Sequence, residues 1–148
     1  IQELIKAFSI LQSEYQILIT LPNTDPMGQM VRDNLLEFGK DYPEVKIVES
    51  LGMLGYLSCM KHCSFLLGNT SSGFVEATYF PKYVINLGER QKGRLETQNI
   101  KTIPIECSKI LSAVMEIEKA ELLNDLNIYG DGFTTEKIIH ILKKSYEN

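Results

Sequence analysis

Two stretches, SFLLG at Ser64–Gly68 and YVINL at Tyr83–Leu87, are apolar without alternation. A strand with one wet face alternates apolar and polar side chains, whereas a near-continuous apolar strand has both faces covered. Such strands belong to parallel sheets, and a parallel pair must be joined by a crossover, usually a helix. The segment between the two runs, SGFVEATYF (Ser72–Phe80), reads as that helix. The pattern repeats along the chain, and it limits the fold to an α/β, doubly wound parallel sheet.

The remaining elements fit the same alternation. A helix is expected over Ile1–Gln12, where Ile1, Leu4, Ile5, Phe8 and Leu11 recur at helical spacing. Strands are expected at Tyr15–Thr20, Val45–Ser50, Cys63–Asn69, Lys82–Gly88 and Ile100–Ile105. Helices are expected at Pro26–Phe38, Met53–His62, Ser108–Leu123 and Thr134–Glu147, with IYGDGF as a turn before the last. Asp25-Pro26 supplies a cap and a first-turn proline, and Gly39 is expected to close that helix. Helical periodicity that starts at the first residue leads us to expect a piece of a longer protein. The whole of 1–148 reads as one domain, without repeat or linker.

Composition excludes several classes. Hydrophobic residues make up 44% and charged residues 23% of 148, an ordinary globular balance. A net charge of −4 argues against a nucleic-acid partner held by phosphate neutralisation. No stretch reaches the roughly 18–20 apolar residues of a membrane span, and the opening residues do not read as a signal peptide. Three cysteines, Cys59, Cys63 and Cys107, suggest reduced thiols and a cytoplasmic location. Cys59 and Cys63 lack the further ligands of a closed zinc site, so neither metal nor cofactor is expected.

In a doubly wound sheet, ligands bind beyond the carboxyl ends of the strands. The loop after the third strand is GNTSSG (Gly68–Gly73), where Thr70, Ser71 and Ser72 supply hydroxyls. Gly73 allows close approach of backbone or ligand, and the first N–H groups of the next helix are available to an anion. The same residues also serve as ordinary helix caps. Glu76, one turn on, suits a ribose diol as a bidentate acceptor, or the helix dipole. The loop after the fourth strand, GERQKGR, carries Arg90 and Arg94, two of only three arginines, and arginine suits bidentate contact with phosphate. LPNTDPMG offers Asn23 and Asp25, of which Asp25 is explained as a cap. Tyr56 could pack or face a base. His62 and His140 have no carboxylate or nucleophile nearby in sequence. There is no Walker loop and no G-x-G-x-x-G.

LLGNTSSGFVEA, INLGERQKGRLETQNI, YGDG, LPNTDPMG and SLGMLGYLSCMKHCSFLLGN together resemble the hydrolysing UDP-N-acetylglucosamine 2-epimerases, in the same order from Leu21 to Gly132. GERQKGR is the discriminating stretch, since the non-hydrolysing enzymes carry a Thr-Glu-Arg-Pro type sequence there. PKY at Pro81–Tyr83 departs from the Gly-x-Pro of many members. The resemblance implies a GT-B architecture of which this chain is the C-terminal, UDP-binding half, with the N-terminal domain absent. It implies UDP or a UDP-sugar as ligand, with Thr70 and Ser71 on the diphosphate and Glu76 on the ribose hydroxyls. Tyr56 would lie near the uracil, backbone at Leu51 on the base edge, Arg90 on phosphate and sugar, and Asn23 in the Asn-x-Asp loop. It also implies elimination of UDP to a glycal followed by addition of water. The acids and bases for that chemistry belong to the other domain and to a histidine just before Ile1, so the fragment is expected to bind but not turn over. A homo-oligomer is a partner option for the full-length protein. The UDP-binding domain of a GT-B glycosyltransferase and a non-catalytic UDP-sugar sensor are the alternatives that sequence leaves open.

Overall fold

The structure is a computed structural model that describes residues 1–121, 126 and 128–146. Its elements run α1 (Gln2–Leu11), β1 (Leu18–Thr20), α2 (Pro26–Asp41), β2 (Lys46–Val48), α3 (Gly52–His62) and β3 (Phe65–Gly68). A 3₁₀ turn at Ser71–Gly73 and a one-turn α4 (Glu76–Tyr79) lead to β4 (Tyr83–Leu87) and β5 (Ile100–Ile103), followed by α5 (Cys107–Glu118) and α6 (Thr134–Tyr146). Every ladder is parallel: β1 pairs with β2, and β4 lies between β3 and β5.

The two ladders share one interior. Ile17 and Leu67 pack against both the cluster around Ile85 and Ile110 and the cluster around Phe8, Leu35 and Phe38. The Tyr15 ring meets Phe65 edge-on at 5.6 Å. Burial of Tyr15, helped by its bond to the Glu118 carboxylate, pushes its hydroxyl up to about 12.

Strand periodicity distributes the larger ladder's side chains to two covered faces. Phe65, Leu67, Ile85, Leu87 and Ile103 pack with α1 and α5 residues such as Ala7, Leu11, Ile110 and Val114. Their neighbours Leu66, Val84 and Ile100 pack with Tyr56 and Met60 of α3 and with Ala77 and Phe80. Helical cover on both sides is the reason these strands lack polar alternation.

Several expected boundaries moved. The helix from Pro26 passes through Gly39 and ends at Asp41, before Pro43. A Cβ at Gly39 would lie 2.7 Å from Ile47 Cδ1, so this glycine brings α2 close to β2 instead of ending it. Asp25 does cap the helix, accepting from the Gly28 N–H at 2.6 Å. β1 begins only at Leu18, because the Tyr15 N–H still bonds the Leu11 carbonyl as a continuation of α1. α5 spans Cys107–Glu118, so the helix expected to Leu123 already ends in a turn at Lys119 and Ala120; Leu122 and Leu123, like Glu147 at the far end, lie outside the described residues. Among the described residues no helix is long and apolar enough to cross a membrane.

The largest departure is the crossover from β3 to β4. The continuous helix expected over Ser72–Phe80 is instead a 3₁₀ turn and a single α-turn, interrupted at Phe74 and Val75. Phe74 is fully buried, and a Cβ on buried Gly73 would sit 2.7 Å from Val84 Cγ1. Packing the turn onto β4 outweighs helix continuity. Because Ile85 is fully enclosed at the centre of the sheet, Ile85→Ala should cost roughly 2–5 kcal/mol. A lowered urea midpoint with an unchanged slope would record that loss.

Candidate functional site

Parallel pairing sets the site. Gly68 is in register with Asn86, so the chain leaves β3 and β4 at the same edge, and the GNTSSG and GERQKGR loops emerge side by side. Gly68 (φ 155°) and Gly88 (φ 70°) turn the chain out of the two strands; Gly88 uses a left-handed conformation that disfavours other residues.

In the first loop the Thr70 side chain accepts from the Ser72 N–H at 3.3 Å. The N–H groups of Gly73, Phe74 and Val75 return to the carbonyls of Thr70 and Ser71. The long helix expected to open at this loop is therefore corrected to a 3₁₀ turn and a single α-turn. Those donors are used locally, and a four-residue helix has little dipole to offer. Gly73 faces Val84 of β4 closely. What the loop presents is the side chains of exposed Thr70 and Ser71 and the half-buried Glu76, whose carboxylate has no hydrogen-bond partner among the described residues.

In the second loop Glu89 and Lys92 pair with each other, and exposed Arg90 has no partner among the described residues. Gln91 is the exception to the loop's exposure, being only 8% accessible. Its Nε2 donates to the Asn69 carbonyl at 2.7 Å, and its Oε1 accepts from Arg94 Nε at 2.6 Å. One neutral side chain thus ties the arginine loop to the hydroxyl loop. Asn86, buried at the end of β4, donates to the Thr102 hydroxyl at 3.1 Å and to the Gly88 carbonyl at 3.3 Å. Thr102 in turn donates to Glu96, which holds the far limb of the loop. Beyond these strand ends lies an open cleft of about 490 Å³, lined by Gly88, Glu89 and Thr102–Ile105.

The smaller ladder contributes a second pair of loops. Thr20 lies opposite Val48, so the Asn23 loop and the Glu49–Leu51 turn leave side by side. They are joined by Arg32, which donates to both Glu49 oxygens at 2.8 and 2.7 Å and to the Pro22 carbonyl at 3.1 Å. Leu51 stands at the cap position of α3, with the Ser50 hydroxyl accepting from the Gly52 N–H. Tyr56 is half-buried, packed on the cluster of Met60, Ala77 and Val84. The structure brings Thr70, Ser71 and Arg90 to one edge, with Glu76 following on the same crossover. Among the described residues no hydrogen bond links the Asn23 side chain to them. Cys63 donates its thiol to the Met60 carbonyl, and burial raises its pKa.

Sequence reading singled out neither Gln91 nor the Arg32–Glu49 pair. A glutamine between charged residues reads as solvated, and an arginine 17 positions from its carboxylate gives no local signal.

The profile of the UDP-N-acetylglucosamine 2-epimerase family matches residues 1–143. The fold is the Rossmann-like half of a GT-B architecture, and the chain belongs to the UDP-N-acetylglucosamine 2-epimerase family. It is 32% identical over 133 residues to the UDP-N,N'-diacetylbacillosamine 2-epimerase (hydrolyzing) of Legionella pneumophila, covering 90% of this chain and 35% of that protein. It is 35% identical over 122 residues to the GDP/UDP-N,N'-diacetylbacillosamine 2-epimerase (hydrolyzing) of Campylobacter jejuni, covering 82% and 31%. The chain thus spans about a third of the length of these relatives. The crystal structure of Methanocaldococcus jannaschii UDP-GlcNAc 2-epimerase in complex with UDP-GlcNAc and UDP has the same fold. It superposes with a TM-score of 0.76 at 19% identity over 97% of this chain and 40% of that one.

The Arg32 guanidinium beside Glu49 holds that carboxyl below its ordinary value. A depressed carboxylate stabilises the fold above its unfolded pKa and loses that contribution as pH falls through the folded value. The melting-temperature advantage of the natural chain over Glu49→Gln should therefore be present at about pH 6 and close below about pH 4. A gap that persists unchanged in acid would contradict the ion pair.

Proposed function

We propose that this chain is the C-terminal, UDP-binding domain of a hydrolysing UDP-sugar 2-epimerase, whose N-terminal domain lies outside the sequence. The observation that carries the reading is the side-by-side exit of the Thr70–Ser71 loop and the Arg90 loop at the carboxyl ends of β3 and β4. Hydroxyls and a guanidinium converge there, and Glu76 follows on the same crossover. In this reading Thr70 and Ser71 hold the diphosphate and Glu76 accepts from the ribose hydroxyls. Tyr56 lies beside the uracil, the backbone at Leu51 meets the base edge, and Asn23 borders the sugar from the β1 loop.

Full-length substrate is UDP-N-acetylglucosamine or a close derivative, including the 4-acetamido type for which the two relatives above are named. Elimination breaks the bond between the sugar's anomeric carbon and the diphosphate oxygen, and a base removes the proton at carbon 2. Charge builds on the departing diphosphate, where Arg90 stabilises it. Water then adds to the glycal and a proton returns to carbon 2 from the opposite face, giving a free ManNAc-type sugar and UDP. The groups that move these protons belong to the rest of the protein, so the domain alone binds without turning over. The surroundings of such an enzyme are cytoplasmic, and its product suits the making of sialic-acid-like sugars. One relative, 28% identical over 114 residues, is the Polysialic acid biosynthesis protein P7 of Escherichia coli.

Calorimetric titration of the 148-residue chain with UDP should show one site. Glu76→Ala should weaken it roughly tenfold or more, the worth of a charge-assisted hydrogen bond. A folded chain with no heat of UDP binding would refute the site. Full-length protein given UDP-N-acetylglucosamine or its 4-acetamido relative should release UDP and free sugar together. Release of neither, or transfer of the sugar to an acceptor, would refute the activity.

A further inference from the structure

We propose that Gln91 is a positioning residue that holds the two halves of the diphosphate site in one geometry. The inference rests on the UDP-binding reading above and adds to it a residue that touches no ligand. Gln91 is buried in a loop whose neighbours Glu89, Arg90, Lys92, Gly93 and Arg94 are exposed. Ordering a long, flexible side chain in such a loop is unfavourable unless its polar ends are satisfied. Both ends are. The bond to the Asn69 carbonyl crosses from one loop to the other, and Asn69 immediately precedes the Thr70 and Ser71 hydroxyls. Arg90 immediately precedes Gln91 in the chain, so this bond sets the separation between the arginine and the hydroxyls.

The bond from Arg94 has a second consequence. It engages only Nε, so the four terminal N–H donors of that guanidinium have no hydrogen bond among the described residues. A neutral amide makes both contacts without placing a negative charge beside a dianionic ligand, as a carboxylate would. The loop's two glycines, Gly88 and Gly93, both take left-handed conformations (φ 70° and 90°). They let the chain fold back so that Gln91 points inward while Arg90 and Arg94 stay outside.

The test compares UDP with uridine, which shares the base and ribose but lacks phosphate. Gln91→Met keeps the side chain's length and removes both bonds without adding charge. Binding is read by calorimetry for UDP and by NMR titration into the millimolar range for uridine, with thermal melting as the folding control. The expected result is UDP affinity reduced about tenfold, with uridine affinity within about twofold of the natural chain. Unchanged UDP affinity would overturn the proposal, as would equal losses for UDP and uridine. Unfolding of both Gln91→Met and Gln91→Ala would also overturn it, because the residue would then support the fold at large. If the natural chain binds no UDP, the functional reading itself fails. That result is distinct from a natural chain that binds UDP and a Gln91 variant that binds it equally well.

Discussion

β4 carries residues that are buried toward both layers of helices: Val84 packs with α3 and α4, while Ile85 and Leu87 pack with α1 and α5. No other strand has so many buried positions among the described residues. Burying apolar area on both faces supplies the main driving force for ordering the chain around it. β3 and β5 both pair parallel to β4, as expected of a sheet covered on both faces. Parallel register then brings successive loops out at one edge. The candidate site is a by-product of how the core is buried.

Core and site meet most closely in the β3–β4 crossover. Gly73 and Phe74 anchor it to the sheet, and Val84 occupies the space where a side chain on residue 73 would lie. The resulting break in the helix costs intrahelical hydrogen bonds, which the 3₁₀ turn and the Thr70 cap partly replace. A buried neutral amide, Gln91, links the arginine loop to the loop that carries Thr70 and Ser71.

The strand-end edge presents the exposed Thr70 and Ser71 hydroxyls and Arg90, with the half-buried Glu76 carboxylate following on the same crossover. His62 ends α3 and His140 lies on α6, a helix with no buried residues, and neither has a hydrogen-bond partner among the described residues. The Arg32–Glu49 pair performs for the smaller ladder what Gln91 performs for the larger one, since each joins two neighbouring strand-end loops.

By itself the sequence determined the fold class and the order of elements. Unbroken apolar runs, caps such as Asp25-Pro26 and clustered hydroxyls and arginines are local signals that survive without coordinates. It also carried the family, through motifs spread in order along the chain. Its errors came where distant packing overrode local preference. Gly39 has the look of a helix end but serves close contact with Ile47, and Ser72–Phe80 has helical spacing but is bent by Phe74 and Val84. Only the tertiary structure decided that Gln91 would be buried and Arg90 exposed. The partners concerned, Asn69 and Arg94, become neighbours of one amide only after two strands pair in register and two glycines reverse the loop. Hydrogen bonds between loops depend on distances that no local pattern encodes.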